Sequence, residues 1–166
     1  MKIYFLMLLI TSTFLYSCRE KQAQLSDTFI QKTIYQKEQD QTIEMNRNFV
    51  AEQIQFIDSI IKTDSSFKTK SFQTTNTGLY YSISGQGKGV YPKSGDYVSI
   101  LYQSYLLPSK ELAYNTIGDT TYNFLLEKDR FERGYQEGLM LMKEGQKGTF
   151  ILPSHLAHGL TGDNDL

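Results

Sequence analysis

The hydrophobic pattern changes character several times along the chain. An almost unbroken apolar run extends from Ile3 to Tyr16, and residues 19–42 are then rich in Gln, Lys, Glu and Thr. Between about Ile43 and Lys62 the apolar positions become periodic: Val50, Ile54, Ile57 and Ile61 follow a 4-3-4 spacing, and Phe49 and Ile60 widen the stripe. That period predicts an amphipathic helix. A polar connector runs from Asp64 to Thr77, after which Leu79 to Ile83 alternates as a strand does and enters the glycine-rich turn Gly85 to Gly89. From Tyr97 to Leu107 the alternation predicts one long strand, with Val98, Ile100 and Tyr102 on one face and Tyr97, Ser99 and Leu101 on the other. Asn115 to Thr121 is a polar loop, and Tyr122 to Leu126 is a further short strand.

The period then returns to that of a helix. Tyr135, Leu139 and Met142 stand at i, i+4 and i+7, with Gly145 expected to end the helix. Gly148 to Pro153 has the length and apolar content of a strand, which Pro153 closes by removing a ladder donor. The loop beyond it carries both histidines of the chain. Strands followed by one helix and another strand indicate an α+β domain with a helix on an antiparallel sheet.

Composition narrows the function classes. The chain has 166 residues, 40% of them apolar, which is room for one ordinary domain and an accessory segment. Seventeen basic and eighteen acidic residues leave a net charge of −1, so there is no basic field to collect phosphates and nucleic acid is not an expected partner. Twelve Tyr and ten Phe, without Trp, mean that any aromatic-walled site is built from phenol and phenyl rings.

The first apolar run suits a signal-peptide core and is short for a membrane span. It ends in Leu15-Tyr16-Ser17-Cys18, which resembles the lipobox of bacterial lipoproteins, with Tyr16 where a small residue is usual. The expected organisation is a signal peptide at 1–17, a lipid-anchored, solvated tether at 18–42 beginning with acylated Cys18, a helix and connector at 43–77, and a globular domain from 78 to 166. Two hydrophobic chains on one residue give stable membrane attachment, which places the protein in the bacterial cell envelope, facing the periplasm or the cell surface. The helical stripe is expected to pack on the domain that follows; the alternative is pairing with a second copy to form a homodimer.

Three further motifs are set aside. Gly85-Gln86-Gly87-Lys88-Gly89 lacks dinucleotide spacing and a following helix, so it is no phosphate loop. His155 and His158, three apart without a cysteine, make an incomplete zinc set, and no metal or other cofactor is expected. Ser154-His155 lacks the strand–Ser–helix elbow of a hydrolase.

Gly78-Leu79, Pro92 to Asp96, Tyr102, Gly134-Tyr135-Gln136-Glu137-Gly138, Met142 to Gly145, Ile151-Leu152-Pro153 and Ala157 to Gly162 together resemble the FK506-binding-protein (FKBP) type of peptidyl-prolyl isomerase, in the family's order and spacing. The anchor, the N-terminal helix and the segment Lys128 to Phe131 resemble most the gliding-motility-associated lipoprotein members. The resemblance implies an FKBP-like antiparallel half-barrel wrapped around one short helix, and proline-containing exported polypeptides as substrates. It also implies a shallow aromatic pocket in which Tyr102 and Tyr122 are walls, Tyr135 is the floor, and Phe131 and Glu132 form the rim, where a backbone N–H holds the peptide carbonyl. His158 takes the place of a tyrosine that donates to the substrate, and an imidazole N–H can do the same.

Two departures from the family are visible. Leu112-Ala113 replaces a Phe-Asp pair that frames the proline ring, making the pocket more apolar. The family's final strand has no counterpart before Leu166, so the domain is expected to be one strand short. For the anchor, Cys18→Ser is expected to move the protein from the membrane fraction to the soluble periplasm; unchanged fractionation would remove the lipid.

Overall fold

A computed structural model describes residues 2–116, 118, 121–159 and 162, with side chains from Phe29 onward. The side chain of Cys18, and Leu160, Thr161 and residues 163–166, lie outside the described residues. The chain divides into two compact units, Met1–Phe49 and Val50–Leu166.

Helix α1 runs from Lys2 to Thr63. It makes the 19–42 segment helical, with residues 29–42 exposed, for a local reason. No Gly or Pro occurs before Gly78, and the Gln, Lys and Glu of that segment are good helix formers whether or not they bury anything. Within the first unit α1 leaves Phe29, Ile30, Ile34, Tyr35, Ile43 and Met45 exposed.

In the second unit the last turns of α1 are anchored as the stripe predicts. Ile57 is only 4% exposed and shares a core with Tyr80 and Ile151, against which Ile54, Ile61, Phe67, Phe72 and Leu107 pack. Polar contacts flank this seam. The Tyr80 hydroxyl donates to Asp58 Oδ1 at 2.9 Å, and burial together with that carboxylate pushes the phenol up to about 12. A short helix, α2 (Ser65–Lys68), is capped by Asp64 and leads into the sheet.

The strands are β1 (Gln73–Thr74), β2 (Tyr80–Ser84), β3 (Tyr97–Ile100), β4 (Gln103–Tyr105), β5 (Leu112–Asn115), β6 (Tyr122–Leu125) and β7 (Lys147–Ile151). All pairings are antiparallel: β1-β2-β7, β3-β6 and β4-β5. Tyr80 faces Ile151 across β2 and β7, so two of the residues against Ile57 are a cross-strand pair. The long strand expected over 97–107 is two strands with different partners. Its alternation is nonetheless as predicted, with Val98, Ile100 and Tyr102 turned inward and Tyr97, Ser99 and Leu101 exposed. Strand β5 occupies sequence not read as a strand. It exists because β4 offers a partner: Gln103 faces Asn115 and Ser104 faces Tyr114.

Helix α3 spans Arg133–Met140 with Leu141 as its C-cap. It therefore stops five residues short of Gly145, whose φ of +82° serves the turn in which Gln146 N–H donates to Lys143 O. A short 3₁₀ turn, Ser154–Leu156, follows β7. Two buried glycines let α3 lie close to this part of the fold. A Cβ on Gly134 would stand 2.6 Å from Leu152 Cδ2 and 3.0 Å from Leu156 Cβ, and one on Gly138 would stand 2.7 Å from the Phe150 ring.

At Gly134, in the first turn of α3, alanine gains little helix propensity and meets side chains on two sides. Gly134→Ala is expected to destabilise the domain by about 1–3 kcal/mol through overpacking, read as a lower urea midpoint with an unchanged slope; an unchanged midpoint would show that α3 is free to back away.

Candidate functional site

Five aromatic rings meet between the sheet and α3. Tyr102 follows β3, Tyr122 and Phe124 belong to β6, Phe131 precedes α3, and Tyr135 lies in its first turns. Phe131 is the hub, with centroids 5.6 Å from Tyr102, 5.1 Å from Tyr122, 4.7 Å from Phe124 and 5.2 Å from Tyr135. Tyr102 meets Tyr122 and Tyr135 edge-on at 6.0 and 5.6 Å, while Phe131 and Tyr135 are stacked with 25° between their planes. Such pairs each contribute about 0.5–1.5 kcal/mol beyond the area they bury.

Two of the rings are held from their backbones. The Tyr102 N–H donates to Thr116 Oγ1 at 2.9 Å, and Thr116 N–H returns a bond to Tyr102 O at 3.0 Å, tying the wall to the end of β5. Phe131 is fixed by Gln136: its amide Nε2 donates to Phe131 O at 2.7 Å while its Oε1 accepts from the Glu127 N–H. Those two bonds clamp the connection from β6 to α3.

Beside the rings sits one ionisable pair. His158 Nε2 is 3.1 Å from Glu132 Oε1, with side-chain exposures of 36% and 16%. Glu132 is the N-cap residue of α3 but does not cap it with its side chain, which turns to His158 instead. Its other oxygen, Oε2, is buried and has no hydrogen-bond partner among the described residues. The charge is felt by the phenols. Burial, reinforced by Glu132, pushes Tyr102 up to about 12; burial also raises Tyr135, against the opposing pull of its hydrogen bond to Ser104. Both therefore remain neutral at physiological pH.

The structure brings together Tyr102, Tyr122, Phe131, Glu132, Tyr135 and His158 from the sequence-predicted set, in a different arrangement from the expected one. Phe131, expected on the rim, is half-buried and lies among the other rings, with its carbonyl held by Gln136. His158, expected as a donor to substrate, has Nε2 directed at Glu132. Leu112 is 47% exposed on β5, opposite Tyr105. The two histidines also separate, since His155 Nε2 lies 2.8 Å from Thr77 O. Phe124 and Gln136 were missed as contributors. Phe124 is 2% exposed on a strand whose alternation was legible, whereas nothing about a surface-type glutamine announces a clamp.

Comparison with known proteins bears on this same region. Residues 88–165 match the FKBP-type peptidyl-prolyl cis-trans isomerase family. The chain is 35% identical over 95 residues to the FKBP-type peptidyl-prolyl cis-trans isomerase FkpA of Escherichia coli, covering 57% of this chain and 34% of that protein. It is 33% identical over 93 residues to a probable FkpA of Neisseria meningitidis, covering 56% of this chain and 34% of that protein. It thus spans about a third of the length of these curated relatives. The crystal structure of FkpA from Escherichia coli superposes with a TM-score of 0.57 at 26% identity, over 77% of this chain and 56% of that one. Residues 88–165, the stretch similar to that family, contain the whole ring cluster and the Glu132–His158 pair.

Proposed function

We propose that this chain is a membrane-tethered peptidyl-prolyl cis-trans isomerase that assists the folding of exported, proline-containing polypeptides in the bacterial cell envelope, in association with gliding motility. The observation that carries the isomerase activity is the ring cluster around Phe131 and Tyr135, inside the family-matched residues. The anchor rests on the Leu15-Tyr16-Ser17-Cys18 motif, and the motility link on the resemblance of the anchor, helix and Lys128-to-Phe131 segment described above.

The chemistry asked of such a site is modest in parts and large in sum. Amide resonance sets a barrier of about 18–20 kcal/mol to rotation about the peptide C–N bond, and no bond breaks on the way. No nucleophile, metal or proton shuttle is needed. What is needed is a surface that fits the twisted amide better than either planar isomer. Rotation removes conjugation and with it dipole across C–N, so an apolar wall of Tyr102, Tyr122, Phe131 and Tyr135 favours the twisted form over the planar ones. Each tenfold in rate requires about 1.4 kcal/mol of that preference. The neutral phenols of Tyr102 and Tyr135 keep the wall uncharged.

A second reading is a non-catalytic member that binds a partner protein of a secretion or motility assembly, favoured by Leu112-Ala113 in place of the framing Phe-Asp pair. A protease-coupled proline-peptide assay separates the two. Turnover above buffer that falls about tenfold or more in Tyr135→Ala supports the enzyme, and a folded wild-type chain no faster than buffer leaves only binding. The exposed apolar residues of α1 from Phe29 to Met45 also favour a homodimer through the N-terminal helix. Sedimentation equilibrium is expected to give twice the chain mass; a monomer at micromolar concentration removes that interface.

A further inference from the structure

The loop that carries His158 is held by a residue far away in sequence. Gln53, on α1, accepts two hydrogen bonds through Oε1, from Ser154 N–H at 3.0 Å and from the Ser154 hydroxyl at 2.9 Å, across 101 positions. Gln53 lies one turn before Ile57 on the same face of the helix, so the apolar seam with Tyr80 and Ile151 delivers it to this place. Ser154 in turn organises the loop. Its carbonyl accepts from Ala157 N–H at 3.0 Å and from Gly159 N–H at 2.7 Å, bracketing His158 on both sides.

The opposite side of the loop is tied separately. His155 Nε2 lies 2.8 Å from Thr77 O, and the Thr77 hydroxyl reaches both carboxylate oxygens of Glu137 on α3 at 2.7 Å. With His155 and Ser154 both anchored, the position of the His158 ring beside Glu132 follows from the two tethers. Both tethers start outside the family-matched residues, at Gln53 and Thr77, and of the two only Gln53 belongs to α1.

We propose that Gln53 is a positioning residue for the isomerase site: the N-terminal helix, through Gln53 and Ser154, sets the 154–159 loop and so places His158 against Glu132 at the edge of the ring cluster. This rests on the isomerase activity proposed above for its kinetic consequence, though not for its structural one. It makes the helix part of the site. Substrate handling then depends on a segment that a domain defined from residue 88 onward would omit.

Gln53→Ala in the full chain removes the one oxygen that accepts both Ser154 hydrogen bonds, whereas Gln53→Glu retains an acceptor there. The chain's two histidines make the imidazole resonances of His158 easy to follow by NMR. Gln53→Ala is expected to shift those resonances and to lower kcat/KM by about five- to tenfold, in the manner of a misplaced site group. Gln53→Glu restores both, and Gln55→Ala, on the exposed side of the helix, changes neither. A folded Gln53→Ala protein with wild-type His158 resonances overturns the proposal. So does loss of stability with kcat/KM unchanged, because that is a merely structural bond. Should Gln53→Ala fail to fold, Ser154→Ala removes only the hydroxyl half, and an unmoved His158 signal there is equally fatal. A wild-type chain without turnover would remove the isomerase activity and leave the His158 resonances to decide the positioning role.

Discussion

The close approach of α3 to β7 and the loop after it is the constraint on which the rest of the domain depends. Gly134 and Gly138 leave no room for a Cβ against Leu152, Leu156 and Phe150, so the helix is pressed onto the chain that follows it. Pressing that face down turns the other outward. Tyr135, next to Gly134, is thereby presented to Tyr102 and Phe131, and the α3 N-terminus brings Glu132 within reach of His158. Side-chain volume removed at two positions is what lets a helix of eight residues organise both the ring cluster and the Glu132–His158 contact.

That arrangement puts an apolar surface and a partly buried carboxylate side by side. A carboxylate costs least when every lone pair is matched, and Glu132 leaves Oε2 unmatched among the described residues. Its field is one of the causes that hold the neighbouring phenols protonated. The rings are thus electrically quiet, while polarity is confined to one edge. Since that edge is set by the 154–159 loop, the tether from α1 and the chemistry of the site are coupled by two hydrogen bonds.

Much of the fold was legible because it is local. The stripe Val50, Ile54, Ile57 and Ile61 repeats at the period of a helix, and Ile57 is indeed core. The alternation from Tyr97 to Tyr102 divides inward from outward residues as a pleated strand must. Misreadings came where composition stood in for conformation. Residues 29–42 are exposed, yet helix formation there requires only good formers and no breaker. Strand β5 carries no strong alternation of its own and is a strand because β4 pairs with it.

The family-like order of short motifs was likewise written in the chain, and with it the membership of Tyr102, Tyr122, Phe131, Glu132, Tyr135 and His158 in one site. By itself, then, the sequence determined the α+β class, the core face of the helix and most of the residues that gather, though not Phe124 or Gln136. Tertiary structure alone decided how they gather: Phe131 inside the cluster, His158 turned to Glu132, and Ser154 bound to a glutamine 101 residues earlier. Periodicity records which way a side chain points from its own element. Partners across the fold depend on how elements pack, and no local pattern in the chain encodes that distance.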